Sequence, residues 1–205
     1  MVQQTSERAL AAGMNLRGVL ACTAQYRAEG GTLPVVLMGY ANPIERMGVE
    51  NFAAQAQIAG VDGVLVVDYP PEEATQQAAI FKAHGLAPIF LISPTTTDAR
   101  IAAIANIASG YIYYVSIKGI TGAASLDIDA VASKIATIRR HTDLPLGVGF
   151  GISSAQSAAA VGRVADAVII GSKLIQLMQA AGDEGAVAAV SAFVVQVRTA
   201  MDARA

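Results

Sequence analysis

Two stretches near the carboxyl end decide how this chain reads: "PLGVGFGISS" at 145–154 and "DAVIIGSKLI" at 166–175. Each is a nearly continuous apolar run that reaches glycine and turns into a helical pattern. Such a run suits a parallel strand covered on both faces. Glycines at its end, Gly149 and Gly151 in one case and Gly171 in the other, let backbone approach a ligand closely. Ser153 and Ser172 stand where a helix would begin, Ser153 as a possible cap. Exposed amides at a helix N-terminus attract anions, so two such turns on consecutive strands can grip one phosphate group from two sides. Barrels of eight βα units frequently hold phosphate at the loops after strands seven and eight, with a short extra helix completing the site. "KLIQLMQAA" supplies that helix. Either loop alone is equally well explained as a tight turn; the pair, followed by the extra helix, favours phosphate.

Working outward, four more apolar runs precede these two: "PVVLMGY" (34–40), "GVLVVDY" (63–69), "APIFLIS" (87–93) and "YIYYVSI" (111–117). Amphipathic segments separate them. "IERMGVENFAAQAQIAG" places Phe52, Ala56 and Ala59 at helical spacing. "PEEATQQAAIFKAHG" opens on Pro71 and two acids and closes on Gly85, the charge order that a helix dipole favours. "LDIDAVASKIATIRRHT" has Asp127 as its cap and basic residues at its end. Strand and helix thus alternate at intervals typical of βα units. An open doubly wound sheet and a (β/α)8 barrel both fit. The phosphate turns favour the barrel, and only four strands precede them. The reading is an α/β fold, a (β/α)8 TIM barrel with six of its eight strands, as one partial domain over residues 1–205. The opening "MVQQTSERAL" runs straight into a helix at 3–12, so the two remaining strands are expected upstream of Met1. The strands at 34–40 and 166–172 would then face a gap, with unpaired backbone and bare apolar side chains.

Composition narrows the function classes. Of 205 residues, 54% are hydrophobic and 15% charged, which is ample material for a core. The net charge of −2 comes with no basic block, so a nucleic-acid role is set aside. Cys22 is the single cysteine, which excludes an intrachain disulfide and a cysteine-based metal cluster and favours a reducing, cytoplasmic setting. The N-terminus lacks a signal-peptide pattern, and Arg163, Asp166, Lys173 and Asp183 interrupt the apolar C-terminal region, so no membrane span is expected.

Ligands in such folds meet the carboxyl ends of the strands. "SIKGITGAAS" (116–125) is a long loop there, and Gly119 and Gly122 would allow it to move as a lid. Lys118 invites a Schiff-base reading, but nothing nearby in sequence would lower its pKa. Asp68 ends the second run and could act as a general base; an acid there more often caps a helix or holds a loop. Tyr40 and Tyr113 could stack on a flat substrate or fill the core. His84 and His141 sit at helix C-termini, away from the mouth, and carry no chemistry in this reading.

The run "GYIYYVSIKGITGA", then "GFGIS", then "VIIGSKLI", with "LMGYANPI" and "VLVVDYPPEE" ahead of them, resembles the tryptophan synthase alpha chain family. "VQQTSERALAAGM" looks like the family's segment after its second strand, and the resemblance covers essentially the whole chain. It implies a retro-aldol cleavage of indole-3-glycerol phosphate to indole and glyceraldehyde 3-phosphate in tryptophan biosynthesis, with no cofactor on the alpha chain. It also implies a tryptophan synthase beta chain as partner, in an alpha2-beta2 complex, where pyridoxal phosphate completes the synthesis. The resemblance assigns the phosphate to Gly122, Phe150, Gly151, Gly171 and Ser172. It assigns the indole end to Tyr40, Leu65 and Tyr113, and the mobile loop to Thr121. Asn42, Pro43, Pro70 and Glu72 become part of the beta-chain contact. No metal is implied. The family's catalytic pair is a Glu in the second strand and an Asp in the loop after it. Neither matches an acid of this sequence, and both positions fall before Met1, so this chain alone is expected to be inactive. The alternative is a non-catalytic, phosphate-binding regulatory subunit of a beta chain.

Overall fold

The computed structural model describes residues 2–116, 127–149 and 151–203. The chain divides into two compact units. The first is Arg8–Leu91 with Thr96–Ile112; the second is chiefly the chain from Tyr113 onward.

After helix α1 (Val2–Ala11), the first unit contains α2 (Leu16–Ala28), β1 (Val36–Gly39), α3 (Ala41–Met47), α4 (Val49–Ala59), β2 (Gly63–Val66), α5 (Thr75–Ala83), β3 (Ala87–Ile92) and α6 (Asp98–Ile107). Its strands pair in chain order and in parallel, with Met38 opposite Leu65 and Leu65 opposite Ile89. All four residues of β2 are buried, whereas β1, at the edge, is only partly covered. The apolar core lies between β1–β2 and the helices: Leu20, Ile44, Phe52, Ala53, Ala56, Val64 and Phe81 are buried together. Phe52 and Phe81 meet edge to face, ring centroids 6.0 Å apart.

One polar knot fastens this core. Arg27 of α2 donates to the carbonyls of Gly31 (2.9 Å), Leu33 (2.8 Å) and Gly60 (3.0 Å), and to the Asp62 carboxylate at 2.6 Å. Asp62, just ahead of β2, also accepts the Val35 N–H, just ahead of β1, at 2.6 Å. The knot therefore sets the register at which β1 and β2 begin.

The second unit holds β4 (Ile112–Val115), α7 (Ile128–Arg139), β5 (Leu146–Gly149), α8 (Ala155–Val161), β6 (Ala167–Ile169) and α9 (Ser172–Asp202). β5 and β6 are parallel, with Val148 opposite Val168. β5 is wholly buried; β6, at the edge, is not. The same polar knot recurs here. Asp166, just ahead of β6, accepts the Leu146 N–H at 2.8 Å and pairs with Arg139 of α7 at 3.0 Å.

All six strands form where the apolar runs place them, trimmed at their ends. Three helix expectations need correction. The segment 44–60 is not one helix: Gly48, at φ 85° and ψ 125°, breaks it into α3 and α4. That conformation suits glycine, whereas the apolar spacing runs on across the break. Helix α5 begins at Thr75, after a turn in which the Glu73 N–H bonds to the Pro70 carbonyl; the Pro and two acids make that turn rather than the first helical turn. The cap of α8 is Ser154, in a reciprocal capping box with Ser157, and not Ser153. Asp127 does cap α7, accepting the Ala130 N–H at 3.0 Å.

Helix α9 spans 31 residues and is the one described helix long and apolar enough to cross a membrane, by length and composition. It is interrupted at Gly182 (φ 67°), carries Lys173, Asp183, Glu184 and Arg198, and buries Phe193 and Val197. The short helix expected after "GS" is its portion before Gly182.

Candidate functional site

The carboxyl ends of the strands were expected to carry the chemistry, and each unit positions its share. In the second unit Ser116, 2% exposed, fixes the end of β4: its N–H and its hydroxyl both donate to the Gly149 carbonyl, each at 3.0 Å. Tyr113, partly buried on β4, lies over Gly149. A Cβ built there would stand 2.7 Å from Cε2 of the tyrosine ring. Gly149 leaves the side-chain space to the Tyr113 ring, a second demand for glycine that the sequence did not announce. Gly151 has φ 77°, a backbone conformation that favours glycine, ahead of α8. Gly171 and Ser172 are exposed at the start of α9, whose N-cap Gly171 offers no side chain to the first-turn amides. The Leu174 and Ile175 amides bond back to the Gly171 carbonyl, so the amides ahead of them point out of the helix end. Ser153 and Ser154 border a groove of about 620 Å³ with Gln156, Lys173 and Phe193. The half-buried Lys173 puts a cation one residue past Ser172, which the sequence reading missed. Gly122, Phe150, Thr121 and Lys118 lie outside the described residues.

In the first unit Tyr40 is exposed by 64% at the end of β1, and Leu65 is buried within β2. Asn42, Pro43, Pro70 and Glu72 are all exposed. Glu72 pairs with Arg100 at 3.5 Å. Asp68 plays the structural part: its carboxylate accepts the Ala41 N–H, the first amide of α3, at 2.7 Å. Next to it, the Tyr69 hydroxyl donates to the Glu45 carboxylate. Burial first, and then the Glu45 carboxylate, push the Tyr69 phenol well above the usual tyrosine range, so the hydroxyl keeps its proton. Sequence reasoning missed this Tyr69–Glu45 pair. Its only signal was an aromatic directly after a strand-ending Asp. His84 caps the end of α5, where its Nδ1 lies 3.0 Å from the Ile80 carbonyl. Among the described residues no three His, Cys, Asp or Glu side chains cluster as metal ligands.

Successive parallel βα units, with glycine turns and an open helix start at the strand ends, define an α/β protein of the (β/α)8-barrel class with six strands among the described residues. Residues 1–203 match the family model of the tryptophan synthase alpha chain, and the chain belongs to that family. It is 58% identical over 205 residues to the tryptophan synthase alpha chain of Burkholderia multivorans, covering 100% of this chain and 76% of that relative. It is 57% identical to that of Cupriavidus taiwanensis, with 99% and 77% coverage. Among solved structures, tryptophan synthase subunit alpha from Legionella pneumophila superposes with a TM-score of 0.88 at 39% identity, covering 98% of this chain and 75% of that one. The tryptophan synthase a2b2 complex from Pyrococcus furiosus is similar with a TM-score of 0.86 at 33% identity, with 97% and 79% coverage. The family is a lyase family: its alpha chain cleaves indole-3-glycerol phosphate in tryptophan biosynthesis and itself needs no cofactor.

Proposed function

We propose that residues 1–205 hold the phosphate end of indole-3-glycerol phosphate and do not by themselves cleave it. Gly122, Phe150, Gly151, Gly171 and Ser172 bind the phosphate through backbone amides and the serine hydroxyl. Tyr40, Leu65 and Tyr113 line the indole end, and Thr121 belongs to the loop that closes over it. The stretch acts as a single domain of the barrel type, in the cytoplasm. Asn42, Pro43, Pro70 and Glu72 face a tryptophan synthase beta chain, which carries the pyridoxal phosphate.

Breaking the carbon–carbon bond needs one group to manage the glycerol hydroxyl proton and another to protonate or stabilise the leaving indole. The observation that carries this proposal is the engagement of Asp68, the acid at the end of β2. It accepts the Ala41 N–H at 2.7 Å, which gives it a loop-holding part at the start of α3. The resemblance implies no counterpart of the family's Glu and Asp among these residues. Calorimetric titration of the 205-residue chain with indole-3-glycerol phosphate is expected to show binding, and a glyceraldehyde 3-phosphate assay to show no turnover. Sustained turnover at a rate typical of an enzyme would sink the claim of inactivity. Absence of binding would sink the phosphate assignment.

A further inference from the structure

The two segments assigned above to the beta-chain contact lie on separate elements. Asn42 and Pro43 open α3, while Pro70 and Glu72 stand in the turn after β2. Helix α3 is seven residues long and buries only Ile44. Its N-cap, Tyr40, makes no side-chain cap bond, and Gly48 cuts it off from α4. A helix this short has little stability of its own. What fixes it is the turn after β2, at two points. Asp68 takes the orphan Ala41 N–H at one end, and Tyr69 reaches Glu45 one turn further on. The Tyr69 ring packs against the same core that buries Ile44, so the hydroxyl acts from a fixed base.

We propose that Asp68 and Tyr69 are positioning residues for beta-chain docking: their bonds to Ala41 and Glu45 lock α3 to the 68–72 turn, so that both segments present one preformed surface. The proposal rests on the assignment of those segments to the beta-chain contact. Neither residue touches substrate in this role. Their effect is to remove the ordering cost that a loose α3 would impose on association. An unanchored α3 would have to be frozen at the moment of binding, and affinity would drop accordingly.

The test measures the affinity of the 205-residue chain for a tryptophan synthase beta chain, at a temperature where circular dichroism shows every variant folded. Tyr69→Phe keeps the ring and removes the hydroxyl, and Glu45→Ala removes the acceptor. Each is expected to weaken binding about tenfold, the size of a lost hydrogen bond to a charged group. Glu45→Gln keeps an acceptor oxygen and is expected to stay within about threefold of the parent, which a general loss of stability would not produce. Asn42→Ala reports on the underlying assignment. If Asn42→Ala weakens binding while Tyr69→Phe and Glu45→Ala do not, the positioning role is overturned and the surface stands. If Glu45→Gln fails as badly as Glu45→Ala, the hydrogen bond is not what matters and the proposal is overturned. If the parent chain binds no beta chain, or Asn42→Ala has no effect, both the surface and its positioning residues are overturned.

Discussion

Single residues here carry tasks that their type does not announce. Gly149 is the clearest: the Tyr113 ring occupies the space a side chain would need. Gly149→Ala is expected to cost about 1–3 kcal/mol through overpacking, read as a lower urea midpoint with unchanged slope. Asp166 is another. The Leu146 N–H above all, with help from Arg139, holds its carboxyl below the usual carboxylate range against the opposing effect of burial. A depressed acid contributes stability that is fully present above its unfolded pKa and lost as pH falls through its folded one. Acid unfolding of the parent should therefore steepen below about pH 4, and Asp166→Asn should flatten that limb. An unaltered acid profile in the variant would contradict this. Neither role was legible beforehand. The sequence shows Asp immediately ahead of the strand in both "VDGV" and "ADAV", but not that each accepts an amide where the neighbouring strand begins, Val35 just ahead of β1 and Leu146 at the start of β5.

Elements were read more reliably than their ends. The strands were recoverable because strands covered on both faces leave continuous apolar runs, and β2 and β5 are buried throughout. The helix over 44–60 was misread because its apolar spacing continues past Gly48, while the backbone there turns to φ 85°. Gly48→Ala is expected to destabilise by about 1–3 kcal/mol, since no non-glycine residue rests easily in that conformation; equilibrium unfolding against the parent measures it. The start of α8 was misplaced by one residue, although the spacing of Ser154 and Ser157 is readable as a capping pair. Of the candidate site, the turn at Gly151 and the open start of α9 at Gly171–Ser172 were legible as backbone features. Lys173 and the Tyr69–Glu45 pair were not, because they depend on which side chains the fold brings face to face.

Taken whole, the molecule has covered interior strands and less covered edges. β1 and β6 each pair on one side, and Leu33, Met38 and Tyr40 around β1 are well exposed. Hydrogen exchange is expected to be faster at Val36–Gly39 and Ala167–Ile169 than at Gly63–Val66 and Leu146–Gly149. Equal protection of all four in a monomer would rule out free edges. The repeated Arg–Asp knot has a consequence for how the chain reaches this state. Arg27 and Asp62 are 35 residues apart, Arg139 and Asp166 only 27. Loop-closure entropy grows with the logarithm of length, so the two closures differ by only about 0.2 kcal/mol. Each knot sits at the amino end of its strands. The β1–β2 and β5–β6 pairs thus each carry their own fastener, closed at nearly the same entropic cost.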